Sequence, residues 1–427
     1  MGVPNKPAKR GCAQTEEAEC IIVCLMVEFT REGSDGNAVD RYLSNEDSLR
    51  SAVHSPAQGT ASAQRSALAQ DVAKRSGEPS PISIRALIDH LEEHHTLTTE
   101  QWIALFAAQD NSAVRAYLFE RSRAIRNQSY GRRVFLRGLI EYSNYCKNDC
   151  LYCGIRASNT HIRRYRLDEE TILACCEIGY RIGYRTFVLQ GGEDLHVSLV
   201  QIVQEIRKRY PDCAITLSAG ELPRASYEQL FDAGADRYLL RHETADPCHY
   251  EKLHPASMSG EHRRECLFTL REIGFQVGSG FLVGAPGETP QTMAANMRFL
   301  HELNPHMIGI GPFIPHADTP LGSAPAGTME ETLFMLACLR LAHPKALLPA
   351  TTALASIDPL GRIRGLDAGA NVIMPNLSPH EHRKDYALYN NKLSSGLEAA
   401  EHYTELAEEL AAHGYTVDPS RGDSLVI

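Results

Sequence analysis

The chain reads as an α/β protein: a (β/α)8 barrel of the TIM type, with an N-terminal helical cap and a disordered N-terminal extension. Three observations lead there. Short apolar runs alternate with helix-period segments from about residue 131 onward. The runs read as strands buried on both faces, as in a parallel sheet. Three cysteines follow the first run directly, at the strand end where sites gather in this fold.

Composition narrows the function classes. Hydrophobic residues make up 43% and charged residues 22%, which is ordinary for a globular protein with a sizeable core. A net charge of -10 argues against non-specific nucleic-acid binding. No apolar run approaches the roughly 18 residues of a membrane span. Twelve cysteines without a convincing signal peptide point to reduced thiols and metal ligands. The expected compartment is cytoplasmic and poor in oxygen, or organellar in a eukaryote.

Residues 1–80 read as the disordered extension. Ser34–Arg75 is rich in Ser, Ala, Gly, Asp and Gln and has no sustained apolar period. Cys12, Cys20 and Cys24 precede it without a fourth ligand and read as incidental thiols. Glu16, Glu17 and Glu19 interrupt any transit peptide. Residues 81–130 form the expected cap. Ser83 caps a helix through Leu87, Leu91 and His95, and Thr98 or Thr99 caps a second over Trp102–Gln109. A third spans Ser112–Asn127 and places Val114, Leu118 and Ile125 on one face.

The barrel occupies 131–427 with a C-terminal closing segment. Its expected strands are Val134–Glu141, Thr186–Gln190, Ala214–Ser218, Arg237–Arg241, Gln276–Val283, Met307–Ile310, Leu347–Thr352 and Ala370–Met374. Helices are expected over Asp168–Ile182, Val197–Tyr210, Ser226–Ala233, Glu261–Ile273, Thr289–Leu303 and Met329–His343. Asp168 suits the N-cap of the first, with Glu169 and Glu170 at its positive end.

The loop Tyr145–Gly154 carries Cys146, Cys150 and Cys153 at C-x3-C-x2-C spacing, with Tyr152 before the third cysteine. Three thiolates on one loop can hold three irons of a cubane and leave the fourth open. A structural zinc wants four ligands, and His161 lies at no standard spacing for a fourth. Cys175, Cys176, Cys213, Cys248, Cys266 and Cys338 are scattered and read as small packing residues. At later strand ends stand Gln190-Gly191-Gly192-Glu193-Asp194, Tyr238–Ala245 with Arg241-His242-Glu243, and Gly280–Gly284 followed by Gly287-Glu288. Charged residues ending an apolar strand sit at a barrel's mouth. Arg263, on the following helix, could pair with a carboxylate in bidentate fashion.

The cysteine loop after strand one resembles the radical S-adenosylmethionine (SAM) superfamily. Arg164–Arg166, Gln190–Asp194, Arg237–Pro247, Gly309–His316 with Asp318–Leu321, Pro349–Ala353 and Ala370–Asn376 closely resemble the HydE family of [FeFe]-hydrogenase maturases, in the biotin synthase-like group of barrels. The resemblance runs from about Arg132 to Tyr389.

It implies a [4Fe-4S] cluster on Cys146, Cys150 and Cys153, with SAM on its open iron. SAM would be held by Tyr152, Gly191, Gly192, Glu193, Ser218, Glu243, Arg263, Met307, Tyr386 and Tyr389. Gln190, Thr216, Arg241, Thr351 and Thr352 would face the substrate, where family members bind anions and small carboxylates. A buried Arg241 would ask for an anionic partner.

The implied activity is reductive cleavage of SAM and radical attack on a small anionic, iron-bound cysteine-type precursor of the bridging dithiolate. Other maturation proteins and a low-potential electron donor are the implied partners, with no nucleic acid and no membrane. Two alternatives remain: a radical SAM enzyme acting on an amino acid, like biotin synthase or methylornithine synthase, and a non-catalytic iron–sulfur protein. Some relatives carry extra C-terminal cysteines for a second cluster. None follows Cys338 here.

Overall fold

The computed structural model describes residues 83–427. The extension expected over 1–80, with Cys12, Cys20 and Cys24, lies outside the described residues.

Three helices come first: α1 (Ile84–His94), α2 (Thr99–Ala107) and α3 (Ser112–Tyr130). Thr98 is the cap of α2, and Gln101 completes a capping box by reaching back to the Thr98 N–H. The helices bury Leu87, Leu91, Trp102, Phe106 and Leu118. Trp102 stacks on Phe106 with ring centroids 5.4 Å apart. The α2 helix packs on α9 (Pro290–Leu303), and α3 packs on α10 (Met329–Ala342). The α10 helix is apolar nearly all round because it lies between the cap and the barrel wall.

The barrel wall is all parallel. Strands β2 (Gly138–Ser143), β3 (Thr186–Gly191), β4 (Ala214–Ser218), β5 (Arg237–Leu239), β6 (Gln276–Ser279) and β8 (Met307–Ile308) pair in chain order. Single bridges extend the ring from Met307 to Leu347 and from Pro349 to Val372. Strand β10 (Val372–Ile373) then pairs with β1 (Arg133–Leu136), and Leu139 bridges Asn376. The ring therefore closes as eight positions, the last two held by very short contacts.

Several details of the strands depart from the sequence expectation. Val134–Glu141 is two strands, broken at Arg137, whose buried guanidinium donates to Met307 Sδ at 2.8 Å. Gln276–Val283 breaks at Gly280, and its end, β7 (Leu282–Val283), pairs with β9 (Gly311–Pro312) instead. Leu347–Thr352 forms only bridges, and Thr352 begins helix α11 (Thr352–Ile357). An unexpected strand, β11 (Thr416–Asp418), adds to the outer side of β1.

The helices between strands follow the expected order. Asp168 caps α4 (Glu169–Ile182) by accepting from the Thr171 N–H at 2.8 Å. Then come α5 (Leu199–Arg209), α6 (Arg224–Asp232) and α8 (Gly260–Ile273). A short α7 (Pro247–Leu253), capped by Asp246, lies between β5 and α8 and escaped the pattern. Cys175, Cys176, Cys213, Cys266 and Cys338 are buried free thiols, as expected of packing residues, whereas Cys248 is only half-buried and departs from that reading. Among the described residues, no helix is long and apolar enough to cross a membrane.

Candidate active site

One cavity of about 330 Å3 occupies the C-terminal mouth of the barrel. Fourteen of the fifteen SAM- and substrate-facing residues expected from sequence, and all three loop cysteines, line it; the exception is Thr216. Thr216 borders a separate space of about 10 Å3 deeper in the barrel, beside Arg137 and Met307. Its hydroxyl is buried and has no hydrogen-bond partner.

The cysteine loop leaves β2 and is fastened on several sides. The Glu193 N–H donates to Cys146 Sγ at 3.4 Å. The Gly154 N–H donates to Leu388 O, and the Leu151 N–H to Leu253 O. Asp149 accepts from Arg156 and from the Ser158 N–H and hydroxyl. Arg164 donates to the Asn144, Ile155, Arg156 and Asn159 carbonyls and stitches the loop to itself. Tyr152 meets His254 edge-on, its hydroxyl 3.3 Å from Nε2. Burial drops His254 to about 3, so it is neutral and stacked on Tyr250.

Cys146, Cys150 and Cys153 are half-buried free thiols on this wall. Burial drives the Cys150 thiol well above its ordinary range, with the Cys153 charge adding to the effect, and pushes Cys153 up to about 12. Three thiolates would not persist here without a cation to neutralise them. Among the described residues, no three His, Cys, Asp or Glu side chains converge on a point suited to one metal ion. A cubane asks for a different arrangement, one thiolate per iron. Three thiols on one loop suit that arrangement.

Glycines set the close approaches around the loop. A Cβ on Gly192 would lie 2.2 Å from Tyr145 O and 2.8 Å from Cys146 Cβ. One on Gly280 would lie 1.8 Å from Gly309 O. Next to Gly280, Glu243 adopts φ 64°, a left-handed conformation costly for a residue with a Cβ. Backbone bonds to Gly280 O and from the Leu282 N–H hold it there.

Charged groups are paired across the mouth. Arg263 Nη1 lies 2.6 Å from Glu221 Oε1 and 3.5 Å from Glu193 Oε1, and its Nε donates to Arg241 O. Lys147 Nζ reaches Glu193 Oε2 at 3.1 Å. Arg241 Nη2 and Glu243 Oε2 are 2.9 Å apart but are not aligned as a hydrogen bond. Arg241 Nε and Thr351 Oγ1 are buried without any hydrogen-bond partner. A buried donor left this way is costly, so the wall is built to meet an acceptor.

Gln190, Thr352, Tyr386 and Tyr389 also line the cavity. Gln190 Nε2 donates to Tyr386 OH at 3.4 Å. Thr352 donates to Glu398 at 2.8 Å. Two charged lining residues went unread in the sequence, Glu141 and Lys392. Glu141 is fully buried, and its carboxylate accepts from Asn376 Nδ2 at 2.8 Å and Lys392 Nζ at 2.5 Å. A charged residue near the end of an apolar strand was a readable signal for Glu141. Lys392 lies in an irregular stretch without one.

The sequence matches the Radical SAM superfamily model over residues 140–300. The chain is 46% identical to the [FeFe] hydrogenase maturase subunit HydE of Thermotoga maritima over 279 residues, 65% of this chain and 79% of that protein. It is 31% identical to a 3-methylornithine synthase of Methanosarcina acetivorans, with 65% and 79% covered. Among solved structures, methylornithine synthase (PylB) superposes with a TM-score of 0.66 at 26% identity, covering 78% of this chain and 97% of that one. The resident cofactors of this superfamily are a [4Fe-4S] cluster and SAM. With the cysteine loop, the parallel barrel and these likenesses together, the chain belongs to the radical SAM superfamily, in its HydE family of [FeFe]-hydrogenase maturases.

Proposed function

We propose that the mouth cavity is where SAM is cleaved and where a small anionic, iron-bound cysteine-type precursor is converted toward the bridging dithiolate of the hydrogenase active site. The observation that carries the substrate class is the pair of unpartnered buried donors, Arg241 Nε and Thr351 Oγ1, on the wall of the cavity that holds the cysteines. An anion answers both.

Cys146, Cys150 and Cys153 would hold the [4Fe-4S] cluster. When bound, the cluster would supply the electron for reductive cleavage of the SAM sulfonium. This chain's own residues bind and shield. Arg263, poised among Glu193 and Glu221, takes the SAM carboxylate, while Glu193 and the Gly191–Gly192 backbone take its ammonium. Tyr152, Ser218, Glu243 and Met307 border the adenosyl group, and Tyr386 and Tyr389 cover it. Gln190, Arg241, Thr351 and Thr352 orient the substrate, with Thr216 beneath them. Residues 81–130 act as a cap on the 131–427 barrel, in a reducing, oxygen-poor compartment. A low-potential donor and the other maturation proteins complete the system.

Anaerobic reconstitution with iron and sulfide, followed by dithionite and SAM, tests the first half. 5′-Deoxyadenosine is expected from the wild type and not from Cys150→Ala. Complementation of a strain lacking its own maturase tests the second. Unrestored hydrogenase activity despite full SAM cleavage would leave the amino-acid reading in its place.

A further inference from the structure

A second hollow, of about 280 Å3, lies outside the mouth cavity. Arg383, Lys384 and Lys392 line it with the amides of Asn390 and Asn391, and no carboxylate does. Arg383 is held by Glu401 and Lys392 by Glu141, so among the described residues Lys384 is the lining cation without a carboxylate partner. Three residues, Tyr386, Tyr389 and Lys392, line both the hollow and the mouth cavity. They are the partition between the two.

Lys392 fastens that partition. Its Nζ lies on Glu141 and above the Tyr386 ring, 5.2 Å from the centroid. Glu141 belongs to the rigid wall. Its N–H donates to Ser378, its carbonyl accepts from Tyr165, and Asn376 holds its second carboxylate oxygen. Lys392 belongs to an irregular stretch pinned by Asn390, which donates from its N–H to Pro315 O and accepts from the Ala317 N–H. A flexible side chain on a loop thus closes on a fixed carboxylate in the wall. An ammonium has three donors, and an arriving carboxylate can compete with Glu141 for it.

We propose that the outer hollow is a vestibule that collects small carboxylate anions, and that Lys392 is its gate, exchanging Glu141 for the incoming anion as the partition opens. Lys384, exposed among the lining cations, attracts the anion first. The vestibule rests on the reading that the mouth cavity takes an anionic substrate.

The test alkylates the loop cysteines of the full, reduced, cluster-free chain with iodoacetate, a carboxylate, and with iodoacetamide, its neutral near-isostere. Modification of Cys146, Cys150 and Cys153 is followed by mass spectrometry. The ratio of the two rates cancels the thiolate fraction. The buried Cys175, Cys176, Cys213, Cys266 and Cys338 stay unmodified while the chain is folded. Lys384→Glu is expected to lower the iodoacetate-to-iodoacetamide ratio by roughly three- to tenfold, while Lys208→Glu on α5 leaves it unchanged. Lys392→Met is expected to speed the neutral reagent by opening the partition.

An unmoved ratio in Lys384→Glu, or an equal change in Lys208→Glu, overturns the vestibule. An unchanged iodoacetamide rate in Lys392→Met overturns the gate. Should Lys392→Met expose the buried cysteines, Lys384→Glu at its exposed position still decides the vestibule. Failure of the wild type to cleave SAM would remove the functional reading and leave these ratios as they are.

Discussion

The backbone N–H of Glu193 points at Cys146 Sγ across 3.4 Å, joining the end of β3 to the first cysteine of the loop. Short of proline at position 193, no substitution deletes that bond, but the residue before it controls the approach. Gly192→Ala would drive a methyl into Tyr145 O and Cys146 Cβ. Both are fixed, so the loop must move. The expected outcome is a folded chain that reconstitutes with much less iron per protein and yields little 5′-deoxyadenosine. Iron content and circular dichroism on one sample check it. Wild-type iron content would show that the contact is dispensable.

Arg263 offers a planar fork, which a lysine cannot copy. Arg263→Lys keeps the charge beside Glu193 and Glu221 but loses two-point contact with a carboxylate. SAM affinity should weaken by about tenfold, ~1.4 kcal/mol. The turnover of bound SAM should change far less. Titration of the reconstituted protein with SAM, read as 5′-deoxyadenosine under dithionite, separates the two.

Acid should destabilise the fold early. Burial lowers His242, His254 and His343 to about 3 each. Their unfolded value lies near 6.5. Above that pH both states are neutral and the full stability is present. As pH falls toward 3 the unfolded chain takes up protons that the folded chain refuses, and stability is lost. Each histidine contributes a slope of roughly 1.4 kcal/mol per pH unit at most. Urea midpoints should fall steeply between pH 6.5 and 4, and His343→Phe should flatten that fall. A midpoint that rises on acidification would contradict the assignment.

Gly280 is held at φ 157° with its absent Cβ overlapping Gly309 O. The neighbour is backbone and cannot yield cheaply. Gly280→Ala should cost roughly 3 kcal/mol of stability. It should also disturb Glu243, whose N–H bonds Gly280 O. Urea unfolding gives the first number, and SAM titration the second. A loss below half that size would mean that β6 and β8 can part without penalty.

Much of the architecture was legible because its signals are local. Asp168 and Thr98 cap helices through bonds to residues three positions away. The apolar runs mark strands whose partners need not be known. What escaped depends on distant groups. The run Val134–Glu141 looks continuous, and only Arg137 reaching Met307 shows where it breaks. Thr416–Asp418 is too short and too exposed to read as a strand until β1 lies beside it. Pro349 and Leu347 make bridges that no period announces.

The site divides the same way. Cys146, Cys150 and Cys153 sit on one loop, and their spacing carries their chemistry. Arg241, Glu243 and Arg263 were found through a strand end and a family likeness. Glu141 and Lys392 are 251 positions apart, and neither means much without the other. Thr216 points into the barrel as expected but below the mouth cavity, a depth that alternation along a strand cannot specify.

Trp102 is the sole tryptophan in the chain, and it is buried where α2 lies on α9. Its emission therefore reports on the seam between the N-terminal helices and the barrel, remote from the mouth. Tyrosines such as Tyr142, Tyr184, Tyr238 and Tyr386 are buried in the barrel itself. Tyr117 and Tyr130 lie on α3, so the tyrosine signal comes mostly, though not wholly, from the barrel layer. A heat or urea scan in which the indole signal moves before the tyrosine signal would show the helices lifting away while the ring is still closed.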